Sequence, residues 1–154
     1  MILTDLLTPR AVLSSLKAGN KKSALQELSE QAGVLCDVPS REIFDALLQR
    51  ERLGSTGVGG GIAIPHAKLA KAQNIFAVFA RLDRPLDFES IDGSPVDLIF
   101  LLIAPESAGA DHLKALARIA RLVRDPSLTA KLRGTRDAAA LYAILTQEPT
   151  SRAA

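Results

Sequence analysis

The chain has 154 residues, 47% hydrophobic and 23% charged, which suits one domain able to bury most of its apolar surface without staples. Its longest apolar runs, such as residues 98–104, fall far short of the roughly 20 residues that a membrane-spanning helix needs. A formal net charge of +2, no tryptophan and only 4% aromatic residues leave little with which to hold nucleic acid by charge or by base stacking.

In chain order, the opening MILTDLL carries no basic region and no cleavage site, so residence in the cytoplasm is expected. Asp5–Leu7 reads as a short helical piece and Val12–Leu16 as a first strand. Asn20 is placed to cap a helix over residues 21–32, with Leu25, Leu28 and Ala32 on one face and Gly33 as its stop. The single cysteine, Cys36, excludes a disulfide framework, a cysteine zinc site and a CxxC pair, and beside Leu35 it reads as a small hydrophobe. After Pro39, Ser40 is placed to cap a second helix whose Ile43, Phe44, Leu47 and Leu48 make an apolar stripe. Arg50 continues the edge of that stripe. It is expected at the rim of the core on the last turn, where a cation also suits the helix dipole.

Residues 50–69, RERLGSTGVGGGIAIPHAKL, are the stretch around which the rest reads as scaffold. Gly57, Gly59, Gly60 and Gly61 allow an unusual loop shape and close approach of a ligand. Ile62, Ala63 and Ile64 read as a short buried strand that Pro65 ends, delivering His66 at a strand end, where open α/β sheets keep their chemistry. Neither nucleotide motif fits the glycines. A Walker A loop needs Gly-Lys-Ser/Thr where Gly61 is followed by Ile62 and Ala63, and a dinucleotide fingerprint needs GxGxxG opening a helix rather than a strand.

Beyond it, Ile75–Leu82 and Val96–Ala104 read as strands covered on both faces, joined through a turn at residues 92–95. Asp111 is placed to cap a helix in which His112 shares a face with Leu116, Ile119 and Val123. Asp125 and Pro126 start another that ends at Gly134, and residues 135–146 form the last, carrying Leu141, Ile144 and Leu145. The tail from Glu148 is expected to be disordered. The fold class is therefore α/β: a three-layer α/β/α sandwich with a mixed sheet flanked by helices, in one domain over residues 1–147.

Two histidines 46 positions apart, with no HxxxH or HExxH, make no recognisable metal site, and no GxSxG motif marks a hydrolase. Neutral imidazole is, however, a nucleophile at physiological pH, and its phosphorylated nitrogen can pass the group on. The run GSTGVGGGIAIPHAKL, with the opening of the chain, IDGSPVDLIFLLIAPE and DHLKALARIARLV, resembles the type-2 (fructose/mannitol-like) enzyme IIA domains of the bacterial phosphotransferase system, and within them the free-standing nitrogen-regulatory branch. The resemblance covers nearly the whole chain.

That resemblance implies a phosphocarrier and regulator without cofactor or metal, in which His66 accepts a phosphoryl group on Nε2 from a small histidine phosphocarrier protein of the HPr or NPr kind. His112 and Arg50 would be the supporting pair. Ser55 and Thr56 read first as turn formers and second, with Gly57, Gly59 and Gly60, as support for the phosphate. The resemblance also implies regulatory targets such as potassium transport or sensor proteins. Lys114, Arg118 and Arg121 form a basic stripe that is either a solvated helix face or a guide for an acidic partner. Two other readings stand beside this one: a sugar-specific IIA subunit that passes the group to a IIB domain, and an anion-binding or protein-interaction module that is never phosphorylated.

Overall fold

The computed structural model describes residues 3–147, so the tail from Glu148 lies outside it. After one-turn 3₁₀ segments at Leu3–Asp5 and Pro9–Ala11, the order is β1 (Val12–Leu16), α1 (Lys21–Cys36), α2 (Ser40–Arg52), β2 (Gly57–Gly59), β3 (Ile62–Ala63), β4 (His66–Leu69), β5 (Phe76–Leu86) and β6 (Val96–Pro105). A third 3₁₀ segment, Glu106–Ala108, leads into α3 (Ala110–Val123), α4 (Pro126–Arg133) and α5 (Ala138–Thr146).

Strand β6, VDLIFLLIAP, is the sheet's axis because it is apolar from Leu98 to Ala104, as a strand covered on both faces must be. On one side β5 runs antiparallel to it, from Phe76 opposite Ile103 to Arg81 opposite Leu98. On the other side β3 and β4 both run parallel to it, with Ile62 opposite Leu98 and His66 opposite Leu102, so the two short strands keep one register along a single partner. Strand β1 adds in parallel to β5, and β2 adds antiparallel to β3, giving a mixed sheet in the order β1-β5-β6-β3-β2 with β4 also on β6. Phe79 and Phe100, directly opposite on β5 and β6, stack at 4.9 Å between ring centroids in the sealed core. Helices α1 and α2 pack on each other, while α3, α4 and α5 form a second connected group, which makes three layers.

Several boundaries move for identifiable reasons. Helix α1 does not stop at Gly33 but runs to Cys36, where Asp37 takes the left-handed conformation (φ 57°) and returns its N–H to the Gly33 carbonyl. Gly33 is instead a point of close approach, since a Cβ there would meet the Val38 carbonyl oxygen at 2.8 Å. Ser40 is the first residue of α2 rather than its cap, Pro39 holding that place. Asp111 lies inside α3, whose cap position is Gly109 (φ 57°), and α5 starts three residues later than expected because Asp137 caps it by accepting from Ala140 N–H. The helical piece at 5–7 is the turn Leu3–Asp5, with Leu6 and Leu7 N–H both bonded to the Leu3 carbonyl. Strand β5 extends to Leu86. Among the described residues no helix is long and apolar enough to cross a membrane.

In an exposed helix Gly→Ala stabilises by about 1 kcal/mol. For Gly33→Ala the contact with Val38 reverses the sign, and a net loss of about 1–3 kcal/mol is expected in urea unfolding.

Candidate functional site

The segment after α2 turns back on itself as a hairpin. Gly57 lies opposite Ala63 and Gly59 opposite Ile62, with Gly60 and Gly61 at the bend, both at positive φ (66° and 81°). The glycines therefore form a strand and a tight turn rather than an open loop. After Ala63 the chain leaves regular pairing for two residues, then resumes as β4. His66 consequently opens a strand instead of following one. Pro65 has no N–H to contribute, yet its carbonyl still accepts from Leu102 N–H at 2.9 Å, so the alignment on β6 survives the break.

In a ladder, successive residues turn their polar groups to opposite sides. Pro65 faces β6, and Ile64 faces away from it, donating its N–H to the Thr56 carbonyl at 2.9 Å. The Ile64 carbonyl lies 2.8 Å from Nδ1 of His66. A carbonyl can only accept, so Nδ1 must hold the ring's proton, and Nε2 is left with its lone pair. Arg50, on the last turn of α2, places Nε 3.3 Å from that Nε2 while its Nη1 donates to the Gly54 carbonyl at 2.9 Å. Guanidinium can only donate, so both contacts of the His66 ring agree on one tautomer.

His112 sits on the first turn of α3, only 6% exposed, with its ring 5.7 Å from that of His66 and tilted by 50°. Its Nδ1 is buried and has no hydrogen-bond partner among the described residues. Burial, helped by the neighbouring His66 and Lys68, pushes its pKa below the ordinary 6.5. The ring is thus neutral at pH 7, beside a half-buried partner whose Nε2 accepts from Arg50. The face that α3 turns inward is His112, Ala115, Ile119 and Leu122, with Leu116 and Val123 at its margin.

The expected phosphate-loop residues do other work in this structure. Ser55 Oγ donates to the Phe88 carbonyl and accepts from Gly57 N–H. Thr56 is buried and donates through both N–H and Oγ1 to Glu51. Gly60 donates its N–H to Asp92, and its carbonyl accepts from Arg133. Gly57 and Gly59 supply the hairpin's pairing. Lys114 and Arg121 are exposed and Arg118 half-buried, and none of the three is ion-paired among the described residues.

Sequence reasoning missed Glu51. Its side chain is 5% exposed and binds Lys21 Nζ at 2.9 Å as well as Thr56. Lys21 in turn lies 4.9 Å over the Phe88 ring and 3.2 Å from Glu89. A continuous run of contacts therefore goes from Glu51 through Thr56 and Ile64 to the His66 ring. The available signal was adjacency: a carboxylate beside Arg50 on the turn that leads into the hairpin.

Comparison with known proteins bears on the family and the fold. A family model described as phosphoenolpyruvate-dependent sugar phosphotransferase system, EIIA 2, matches residues 5–148. The chain is 60% identical over 153 residues to a nitrogen regulatory protein of Bradyrhizobium diazoefficiens, covering 99% of this chain and 100% of that one. It is 40% identical over 144 residues to a nitrogen regulatory protein of Pseudomonas aeruginosa, covering 93% and 94%. The crystal structure of the nitrogen regulatory protein IIA-Ntr from Neisseria meningitidis superimposes with a TM-score of 0.87 at 33% identity, covering 92% of this chain and 97% of that one.

Two outcomes are expected. Glu51→Ala leaves Lys21 and Thr56 without their shared acceptor in a largely buried setting and should cost about 3 kcal/mol in urea unfolding, with a shifted His66 ring-nitrogen resonance. Stability should also fall as pH drops below 6.5, because unfolded His112 takes up a proton at its ordinary value while the folded ring, with its lowered pKa, does not. His112→Gln should lose that part of the acid dependence, as read from unfolding free energies on either side of pH 6.5.

Proposed function

This chain belongs to the EIIA 2 family of the phosphoenolpyruvate-dependent sugar phosphotransferase system, whose members carry a phosphoryl group, and from that premise we propose that it accepts the group on Nε2 of His66 and works in the cytoplasm as a nitrogen-related regulator. The observation that carries the site assignment is the tautomer imposed by Ile64. With the proton held on Nδ1, Nε2 can attack without first losing one.

In the proposed step the Nε2 lone pair forms an N–P bond as the donor's N–P bond breaks, and the donor ring departs with that electron pair. The donor is a phosphohistidine of a small carrier protein. Negative charge spreads over the three phosphoryl oxygens, so catalysis consists of positioning and positive potential. Arg50 must give up its contact with Nε2 as the bond forms, and the nearest acceptors for its freed N–H are those oxygens. The second bond, to Gly54, keeps the guanidinium within reach. His112, neutral and with an unpartnered Nδ1, is the other donor at hand. Ser55, Thr56, Gly57, Gly59 and Gly60 serve this chemistry through the hairpin that holds Ile64 in place.

The regulatory half of the proposal is supported by the relatives in Bradyrhizobium and Pseudomonas, which carry the name nitrogen regulatory protein over nearly their full lengths. Its targets would be proteins such as potassium transporters or sensors, contacted according to phosphorylation state. A sugar-specific subunit handing the group to a IIB domain is the second reading, favoured by the family's description as a sugar system.

Incubation with a phosphorylated carrier should add about 80 Da in an acid-labile, alkali-stable linkage. His66→Ala should abolish it, and an adduct that persisted there would overturn the assignment. His112→Ala and Arg50→Ala should each slow acceptance about 10- to 1000-fold with the fold intact by circular dichroism. Efficient transfer onward to a sugar-specific IIB domain would favour the second reading.

A further inference from the structure

The sheet carries a second concave, charged place, remote from the histidines. Where β1 ends beside β5, Ser14, Ser15, Lys17, Arg81, Asp83 and Arg136 line a cavity of about 280 Å³. Arg81 pairs with Leu98 and His66 with Leu102 on opposite edges of β6, so the two places are separated by roughly 13 Å along the strand as well as by the strand itself. The ends of parallel strands are a usual location for small-molecule sites in α/β sheets.

The cavity's charge is unbalanced. Lys17, Arg81 and Arg136 supply three cations, and Asp83 is the single carboxylate. Asp83 is already engaged, accepting from Ser15 Oγ and lying 3.6 Å from Arg81 Nη1. Lys17 and Arg136 have no ion-pair partner among the described residues. Arg81 differs from an ordinary surface arginine. Its side chain is 11% exposed, and its Nε donates to the Arg133 carbonyl at 3.1 Å while Nη1 donates to the Ser14 carbonyl at 3.4 Å. The guanidinium is fixed by backbone, and its Nη2 has no hydrogen-bond partner among the described residues. A fixed guanidinium with an unused N–H arm, two unpaired cations and the Ser14 hydroxyl together match several oxygens carried on one doubly charged group.

We propose that this cavity binds a small dianionic oxyanion, a phosphate monoester by chemical class, at a site distinct from the phosphoryl acceptor. Two excess positive charges match the monoester's two negative ones, and three phosphate oxygens can meet Arg81, Lys17 and Arg136 together. Asp83, also in the lining, is engaged by Arg81 and Ser15 and repels a ligand that approaches with its charge on the wrong end.

The test is a titration of the ¹⁵N-labelled, unphosphorylated protein at constant ionic strength with glycerol 3-phosphate, inorganic phosphate and succinate, followed by amide shifts. Saturable shifts at residues 14–17, 81–83 and 136–138 with glycerol 3-phosphate are expected, with succinate weaker. Lys17→Ala/Arg136→Ala, which removes two exposed side chains, should weaken that binding about tenfold or more while leaving phosphoryl acceptance at His66 unchanged. Shifts that do not saturate, that persist unchanged in the double variant, or that gather only around His66 and His112 would overturn the site. Succinate binding more tightly than glycerol 3-phosphate would overturn the ligand class.

Discussion

The hydrogen bond between His66 Nδ1 and the Ile64 carbonyl, 2.8 Å long and closed within three residues of chain, fixes the tautomer on which the proposed chemistry depends. It decides which ring nitrogen keeps its lone pair, and it exists only because Ile64 points its polar groups away from β6. That orientation depends on the register that β3 and β4 share along one partner strand, and hence on the unbroken apolar run of β6. A slip of one residue would turn Ile64 toward β6 and Pro65 outward, leaving His66 with no carbonyl to hold its ring. The site's tautomer is therefore a property of the sheet.

Around this bond the end of α2 performs two tasks with adjacent residues. Neighbouring side chains on a helix point about 100° apart, so one turn can reach in two directions. Arg50 reaches the ring, and Glu51 reaches the hairpin through both polar groups of Thr56. Glu51 is balanced by Lys21 at the start of α1, which ties the first helix to the same hairpin. Desolvating such a pair costs several kcal/mol unless the remaining lone pairs are filled, and the Thr56 donors fill them. Ser55 bonding to the Phe88 carbonyl and Gly60 bonding to Asp92 anchor the other edge. The hydroxyls and glycines beside the proposed acceptor thus hold a shape, and the positive charge comes from Arg50.

What the sequence made legible follows from which signals are local. The runs at 75–82 and 96–104 are nearly continuous apolar sequence and read as central strands, and the stripes of α2 and α3 put Arg50 at the rim of the core and His112 facing inward; the folded chain brings the two histidine rings to 5.7 Å. What it left obscure depended on contacts across the fold. Gly33 has the composition of a helix stop, but the reason for glycine there is the backbone at Val38 and Ser40 passing close by. Pro65 looks like a strand terminator, yet its carbonyl serves the ladder as well as any other residue's, so His66 begins a strand. Glu51 beside Arg50 suggests a surface pair, and only the folded hairpin reveals Thr56 and Lys21 as its partners.

The same geometry explains why the second histidine should be buried and neutral. Two imidazolium rings at this distance would repel, and a cationic His66 would have no lone pair to attack with. Burial of His112 removes the first hazard by lowering its pKa, and in the neutral His66 ring the Ile64 carbonyl and Arg50 place the proton on Nδ1 and the lone pair on Nε2. The secondary causes of the His112 shift are the positive charges that His66, when protonated, and Lys68 carry nearby. A phosphoryl group on Nε2 would bring negative charge into the place from which that repulsion comes, so the bias against a charged His112 weakens when there is an anion to hold. In the proposed transfer, the arrival of the phosphoryl group would itself turn a neutral ring into a stronger donor.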